Sequence, residues 1–180
     1  MLELTIPKQR LFNEKTYEFA YVEEQTICLE HSLVSLSKWE RKWHKPFISS
    51  EKNKEEILDY IKMMTITKNV NPMVYEALTE DMITKIKDYI DDPMTATTFN
   101  KDQSKGSINN DIITAEIIYY WMIALQIPVE FQKWHINSLI TLIRVCEIKN
   151  QPPKKRSRQE IASRTAAINA ARRQQHAKKG

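Results

Sequence analysis

Hydrophobic and polar positions change their period several times along this chain. Residues 2–6, LELTI, alternate and stop at Pro7, which predicts a short edge strand. A second extended stretch is 26–30, TICLE. Between them 12–16, FNEKT, reads as a loop or turn, and 17–22 fits no single period. A two- or three-stranded N-terminal sheet is expected. From Ser32 the period becomes helical. Leu33, Leu36, Trp39 and Trp43 follow at steps of three, three and four, with Ser35, Lys38, Arg41 and Lys42 outside the stripe. Pro46 ends that helix. Asn53 with Glu56 three later starts another, with Ile57, Tyr60, Ile61 and Met64 on its buried side. Asn71-Pro72 opens a short helix through Ala77. Thr79, followed by Glu80 and Asp81, caps the next, with Met82, Ile86, Tyr89 and Ile90 apolar and Asp92-Pro93 as its stop.

Residues 94–99, MTATTF, have extended character, and 100–110, NKDQSKGSINN, predict an exposed mobile loop. The densest apolar text follows at 111–150. It predicts two helices joined at Gln126-Ile127-Pro128, the first beginning at Asn110 or Asp111 and the second opened by Pro128. The first is apolar nearly all round, which points to the centre of the domain or to an oligomer interface. Trp134, Leu139, Leu142, Ile143 and Cys146 are expected to continue the core, with His135 at a packed surface. The rest of the chain is expected to pack on this hairpin. Pro152 and Pro153 then mark a linker. Beyond it, Ser157 and Glu160 form a capping-box pattern before an Ala-rich helix. The expected organisation is a mainly α protein: 1–150 a helical domain with a small N-terminal β element, and 151–180 a Pro-linked basic helical tail.

Charge sharpens this division. After residue 150 there are nine basic residues and one acid, Glu160, so that segment carries +8 and the remainder −4. Such a tail suits nucleic acid, an acidic protein surface or another copy of the chain. Only two glycines occur, so no Gly-rich phosphate loop can be written. Cys28 and Cys146 read as buried thiols in a reducing compartment. No secretory signal is read at the N-terminus. No membrane span is expected, because Glu116, Gln126, Pro128, Glu130 and Lys133 interrupt the apolar hairpin.

Candidate chemistry is sparse. Cys28 and His31 have half-site zinc spacing, but His44, His135, Cys146 and His176 are scattered, so no metal and no cofactor are expected. Cys28 is read as a strand-end thiol and His31 as partly exposed. Asp88, Asp91 and Asp92 read as a solvated helix end. Glu116, alone in an apolar helix, needs a cation such as Lys133 or Arg144 if it is buried. Without a nucleophile–base pair the chain is not expected to be an enzyme. The candidate partner-binding residues are Trp39 and Trp43, paired on one helix face, and Arg158, Arg164, Arg172 and Arg173 in the tail. For the two tryptophans, core packing is the stronger expectation.

The strings SLSKWERKWHKPF, YIDDPMTAT, IIYYWMIALQIPVEFQKWH, IKNQPPKK and NAARRQQ together span most of the chain. In them the chain resembles small proteins encoded in the tail-gene region of tailed bacteriophages of Gram-positive hosts, the tail assembly chaperones. The resemblance implies a non-enzymatic morphogenesis factor that binds the tape measure protein before the tail tube polymerises. It also implies contact with tail tube protein, self-association, a place in the host cytoplasm during assembly, and absence from the mature virion. It assigns no role to any single residue. The alternatives are a nucleic-acid-binding module that uses the tail and a structural head–tail component of the virion.

Overall fold

In the computed structural model the described residues are 1–13, 17–99, 112–150, 162–163 and 165–169. The chain divides into two compact units, Met1–Lys149 and Asn150–Gly180. The first is mostly helical with small two-stranded sheets at its N-terminus.

Four strands form two antiparallel pairs rather than one sheet. Strand β1 (Leu2–Ile6) pairs with β4 (Gln25–Leu29), and β2 (Gln9–Asn13) pairs with β3 (Glu18–Val22). The turn expected at 12–16 is therefore a strand at its first two residues, and the ambiguous stretch that follows is a strand as well; residues 14–16 lie outside the described residues. Alternation puts Leu4, Ile6, Ile27 and Leu29 on the core side. The segment after the second helix lies along the other edge of β4, where Ile66 N–H donates to Cys28 C=O at 2.8 Å and Glu30 N–H to Met64 C=O at 2.9 Å.

Among the described residues of this unit six α-helices follow: α1 (Leu33–Trp43), α2 (Lys54–Met64), α3 (Met73–Glu76), α4 (Glu80–Asp91), α5 (Ala115–Ala124) and α6 (Ile136–Asn150). Side-chain caps stand at Asn53 and Thr79, where the sequence signals them, and also at Ser32. Ser32 and Ser35 exchange hydrogen bonds at the start of α1, Asn53 and Glu56 do so at α2, and the Thr79 hydroxyl accepts from Met82 N–H. Ser35, expected on the outer side, is buried in this duty. Helix α1 ends at His44, in the left-handed region at φ 53°, with its N–H bonded to Glu40 C=O at 2.8 Å.

The centre of the unit is α1, not the late hairpin. It packs against α2, α5 and the 3-10 turn Val129–Lys133. Leu33, Leu36 and Trp39 are fully enclosed, and the Trp39 indole N–H donates to Glu56 C=O at 2.9 Å. The late hairpin is shorter than its sequence suggests. Residues 112–114 are not helical, Asp111 is outside the described residues, and α5 begins only at Ala115. Pro128 opens the 3-10 turn instead of the second helix, which starts at Ile136. Residues 94–99 form no strand, and 100–110 lie outside the described residues. In the second unit, 162–163 and 165–169 are helical. The Ser157 capping pattern and the Pro152-Pro153 linker fall outside the described residues.

Candidate functional site

The polar centre of the first unit is a set of groups that sequence spacing did not join. His31 stands between β4 and α1, and His135 between the 3-10 turn and α6. The chain brings them together because Ser32 bridges to His135 and Ile136 N–H donates to His31 C=O at 2.7 Å. Their rings meet edge to face at 5.0 Å, and both are buried. His31 Nδ1 is hydrogen-bonded to the Tyr60 hydroxyl. His135 Nδ1 accepts from Asn137 N–H at 3.3 Å, so its Nε2 carries the proton and donates to Tyr89 C=O at 3.0 Å. The Tyr89 hydroxyl donates to Glu30 Oε1 at 2.7 Å, and Glu30 also pairs with the N-terminal ammonium at 3.2 Å. Four elements (the end of β4, α2, α4 and the start of α6) are tied through this cluster.

Burial disfavours the charged forms of its two histidines and two tyrosines. His31 is pulled down to about 3 by burial and then by the neighbouring His135. His135 is also lowered, mainly by burial, against the pull of Tyr89 C=O. Burial pushes the Tyr60 and Tyr89 phenols above their ordinary range, and Tyr89 is raised further by donating to Glu30. Hydrogen bonds among buried groups of this kind fix the packing of the elements they join.

A second buried anchor is Glu40. Its Oε1 accepts from Phe47 N–H and its Oε2 from Ala115 N–H, both at 2.7 Å. Ala115 is the first residue of α5, so the carboxylate meets an otherwise unpaired N–H at the positive end of that helix. Glu40 thus takes the place expected of Glu116 as the buried acid. Glu116 is exposed, and Arg144 lies over the Phe99 ring at 4.3 Å.

Beside the histidine–tyrosine pair opens a cleft of about 510 Å³. His31 and Tyr60 lie in its wall. Ile48 from the turn after α1, Ile57 from α2, Ile83 and Ile90 from α4, and Ile140 from α6 surround it, with Lys52, Lys87 and Asp91 also lining it. Ile57, expected to be covered, is exposed here. The Lys52 ammonium lies over the Phe47 ring at 4.2 Å and donates to Phe47 C=O and to Ser50 C=O, the latter at 3.0 Å. Burial and then Lys45 lower its proton affinity. Lys45 itself pairs with Glu56, and that bond is the main reason the Glu56 carboxyl sits below its usual range. A second, more open cleft of about 620 Å³ lies on the other side of the cluster, with Glu30, Trp134, His135 and Ser138 in its wall.

Two apolar faces are uncovered. On α5, Tyr120 is 66% and Ile123 76% exposed, while Ala115, Ile118 and Met122 are buried. On the β2–β3 ribbon, Phe12 pairs with Phe19 and Arg10 with Tyr21 on one face, and all three aromatic rings are exposed.

The candidate residues fare differently from one another. Trp39, at 0% exposure, is core and offers no surface to a partner. Trp43 is half-buried, and its enclosed indole N–H meets no acceptor among the described residues. Arg158, Arg164, Arg172 and Arg173 lie outside the described residues. The expected order of Trp134 and His135 is reversed. Trp134 is 45% exposed and stacks on Phe131 at 4.2 Å, and His135 is 7% exposed. His31, expected to be partly exposed, is 4% exposed. Cys28 and Cys146 are both half-buried free thiols. Among the described residues no group of three or more His, Cys, Asp or Glu side chains is placed to hold a metal ion, and no helix is long and apolar enough to cross a membrane. Comparison with known protein families, with curated proteins and with solved structures finds no match for this chain.

Proposed function

We propose that this chain is a non-enzymatic assembly factor of a bacteriophage tail, one that holds an apolar helical stretch of the tape measure protein until the tail tube forms around it. The observation that carries this reading is α5. Its sequence, AEIIYYWMIA, is apolar on nearly every side, yet one side stays open at Tyr120 and Ile123. A helix of that composition belongs under a cover, and the first unit supplies cover for only part of it. The open face of α5 and the apolar cleft between α2, α4 and α6 are the surfaces a holder of helices needs. The resemblance of the whole chain to tail assembly chaperones names the helix to be held.

On this reading the protein works in the host cytoplasm, meets tail tube subunits in passing, self-associates through apolar faces left open, and leaves before the virion is complete. Affinity purification of the tagged full chain from cells that also make the tape measure protein tests it. The tape measure protein should be retained after washing in about 0.5 M salt, since salt screens charge pairs and leaves an apolar contact in place; its loss at every salt concentration would count against the proposal. The +8 charge after residue 150 supports a second reading, nucleic-acid binding. That reading predicts DNA affinity falling steeply with salt and vanishing when residues 151–180 are removed.

A further inference from the structure

We propose that the cleft between α2, α4 and α6 receives one amphipathic helix of the partner, with an acidic side chain of that helix meeting Lys52. This rests on the reading of the chain as a holder of a helical partner and names the place and the chemistry of the contact.

The shape of the cleft points to side chains as its filling. Ile48, Ile57, Ile83, Ile90 and Ile140 come from four separate elements and converge on one space of about 510 Å³. Ile48 and Ile57 are exposed, and the other three are half-buried. Isoleucine is stiff at χ1, so a wall of isoleucines loses little freedom when it is covered. Behind the wall, the His31–Tyr60 bond holds the first turn of α1 against α2. The cleft is therefore preformed, which spares a partner the cost of shaping it.

The backbone decides what kind of segment fits. The walls are helices, whose N–H and C=O groups are spent within themselves. The carbonyls of Phe47 and Ser50, at the turn, already accept from Lys52. An extended segment pressed into this cleft would bury its own N–H and C=O groups with nothing to pair them. A helix satisfies its own backbone and offers apolar side chains at i, i+3 or i+4, and i+7. A strand would find open edges on the β2–β3 ribbon instead, where each strand has one neighbour among the described residues.

Charge selects the acidic group. Of the two lysines that line the cleft, Lys87 is exposed on α4, where water solvates its charge. Lys45 is engaged by Glu56. Lys52 is left over. It uses two of its three N–H donors on carbonyl oxygens, and among the described residues no carboxylate is within ion-pair distance of it. Glu56, engaged directly by Lys45, acts on Lys52 only beyond ion-pair distance, and a carboxylate arriving at the mouth of the cleft can take its remaining N–H donor.

The test uses the tagged full chain co-expressed with the tape measure protein. Ile57→Glu and Lys52→Glu are made separately, because one removes apolar fit and the other reverses charge. Lys52→Arg keeps the charge, and Lys85→Glu, an exposed change on α4 away from the cleft lining, is the control. Each variant is first checked for an unchanged circular dichroism spectrum and melting midpoint. Retained partner should fall at least tenfold for Ile57→Glu and Lys52→Glu and stay within twofold of the parent for Lys52→Arg and Lys85→Glu. Undiminished retention by both folded cleft variants would overturn the cleft and leave the assembly-factor reading standing. Failure of the parent chain itself to retain the partner would overturn both.

Discussion

At the scale of single residues, two buried ionisable groups decide how this unit holds together. Glu40 joins α1, the turn at Phe47 and the first N–H of α5 through two bonds of 2.7 Å. Glu40→Ala leaves two N–H groups enclosed and unpaired, so it should cost about 3 kcal/mol in urea unfolding. Glu40→Gln keeps one acceptor and turns the other into a donor, and it should recover at most half of that loss. His31 makes stability depend on pH. Its proton affinity falls from 6.5 to about 3 on folding, so between those values only the unfolded chain takes the proton. Stability from this group is complete above pH 6.5 and is lost as pH falls, by about 2 kcal/mol at pH 5. His135, lowered as well, adds in the same direction. Unfolding at pH 7.5 and pH 5 should show the loss, and His31→Gln should shrink it; an equal loss in that variant would remove His31 from the account. None of this could be read along the chain. His31 and His135 are 104 positions apart in the numbering and meet only through the bridge from Ser32 to His135. Trp134 misled for a simple reason: its size suggests burial, yet its ring is spent on Phe131 at the surface.

At the scale of elements, legibility followed local chemistry. The starts of α2 and α4 were readable because Asn53 and Thr79 satisfy backbone donors within their own first turn, and that of α1 because the apolar period changes at Ser32. Thr79→Ala should accordingly cost about 1 kcal/mol, measured by thermal melting. Strands β2 and β3 were not readable, since their outer face is Arg10, Phe12, Phe19 and Tyr21 instead of the polar alternation that marks a solvated strand. Helix α5 was readable as apolar but not as half-open, because its own residues do not say how much neighbours will cover. Ile123→Glu should change stability by less than about 0.5 kcal/mol, since the side chain is already in water. A large loss would mark this face as one through which copies self-associate, and the melting midpoint would then rise with protein concentration. The cleft was the least legible feature. Its isoleucines come from four elements, and of the five only Ile57 and Ile90 fall on an apolar stripe of the sequence.

At the scale of the whole molecule, the first unit is built around α1 and offers open apolar surface on α5, on the ribbon and in the isoleucine cleft, while the segment after residue 150 carries the excess positive charge. An apolar holder and a basic segment suit transient work on a large partner better than a permanent place in a particle. Mass spectrometry of purified virions should accordingly find this chain absent or far below one copy per particle, whereas a stoichiometric amount would favour a head–tail component. The most direct measurement is the soluble yield of tape measure protein expressed with and without this chain. The account predicts that co-expression moves most of the tape measure protein from the pellet into the soluble fraction. Equal soluble yields in the two conditions would contradict it.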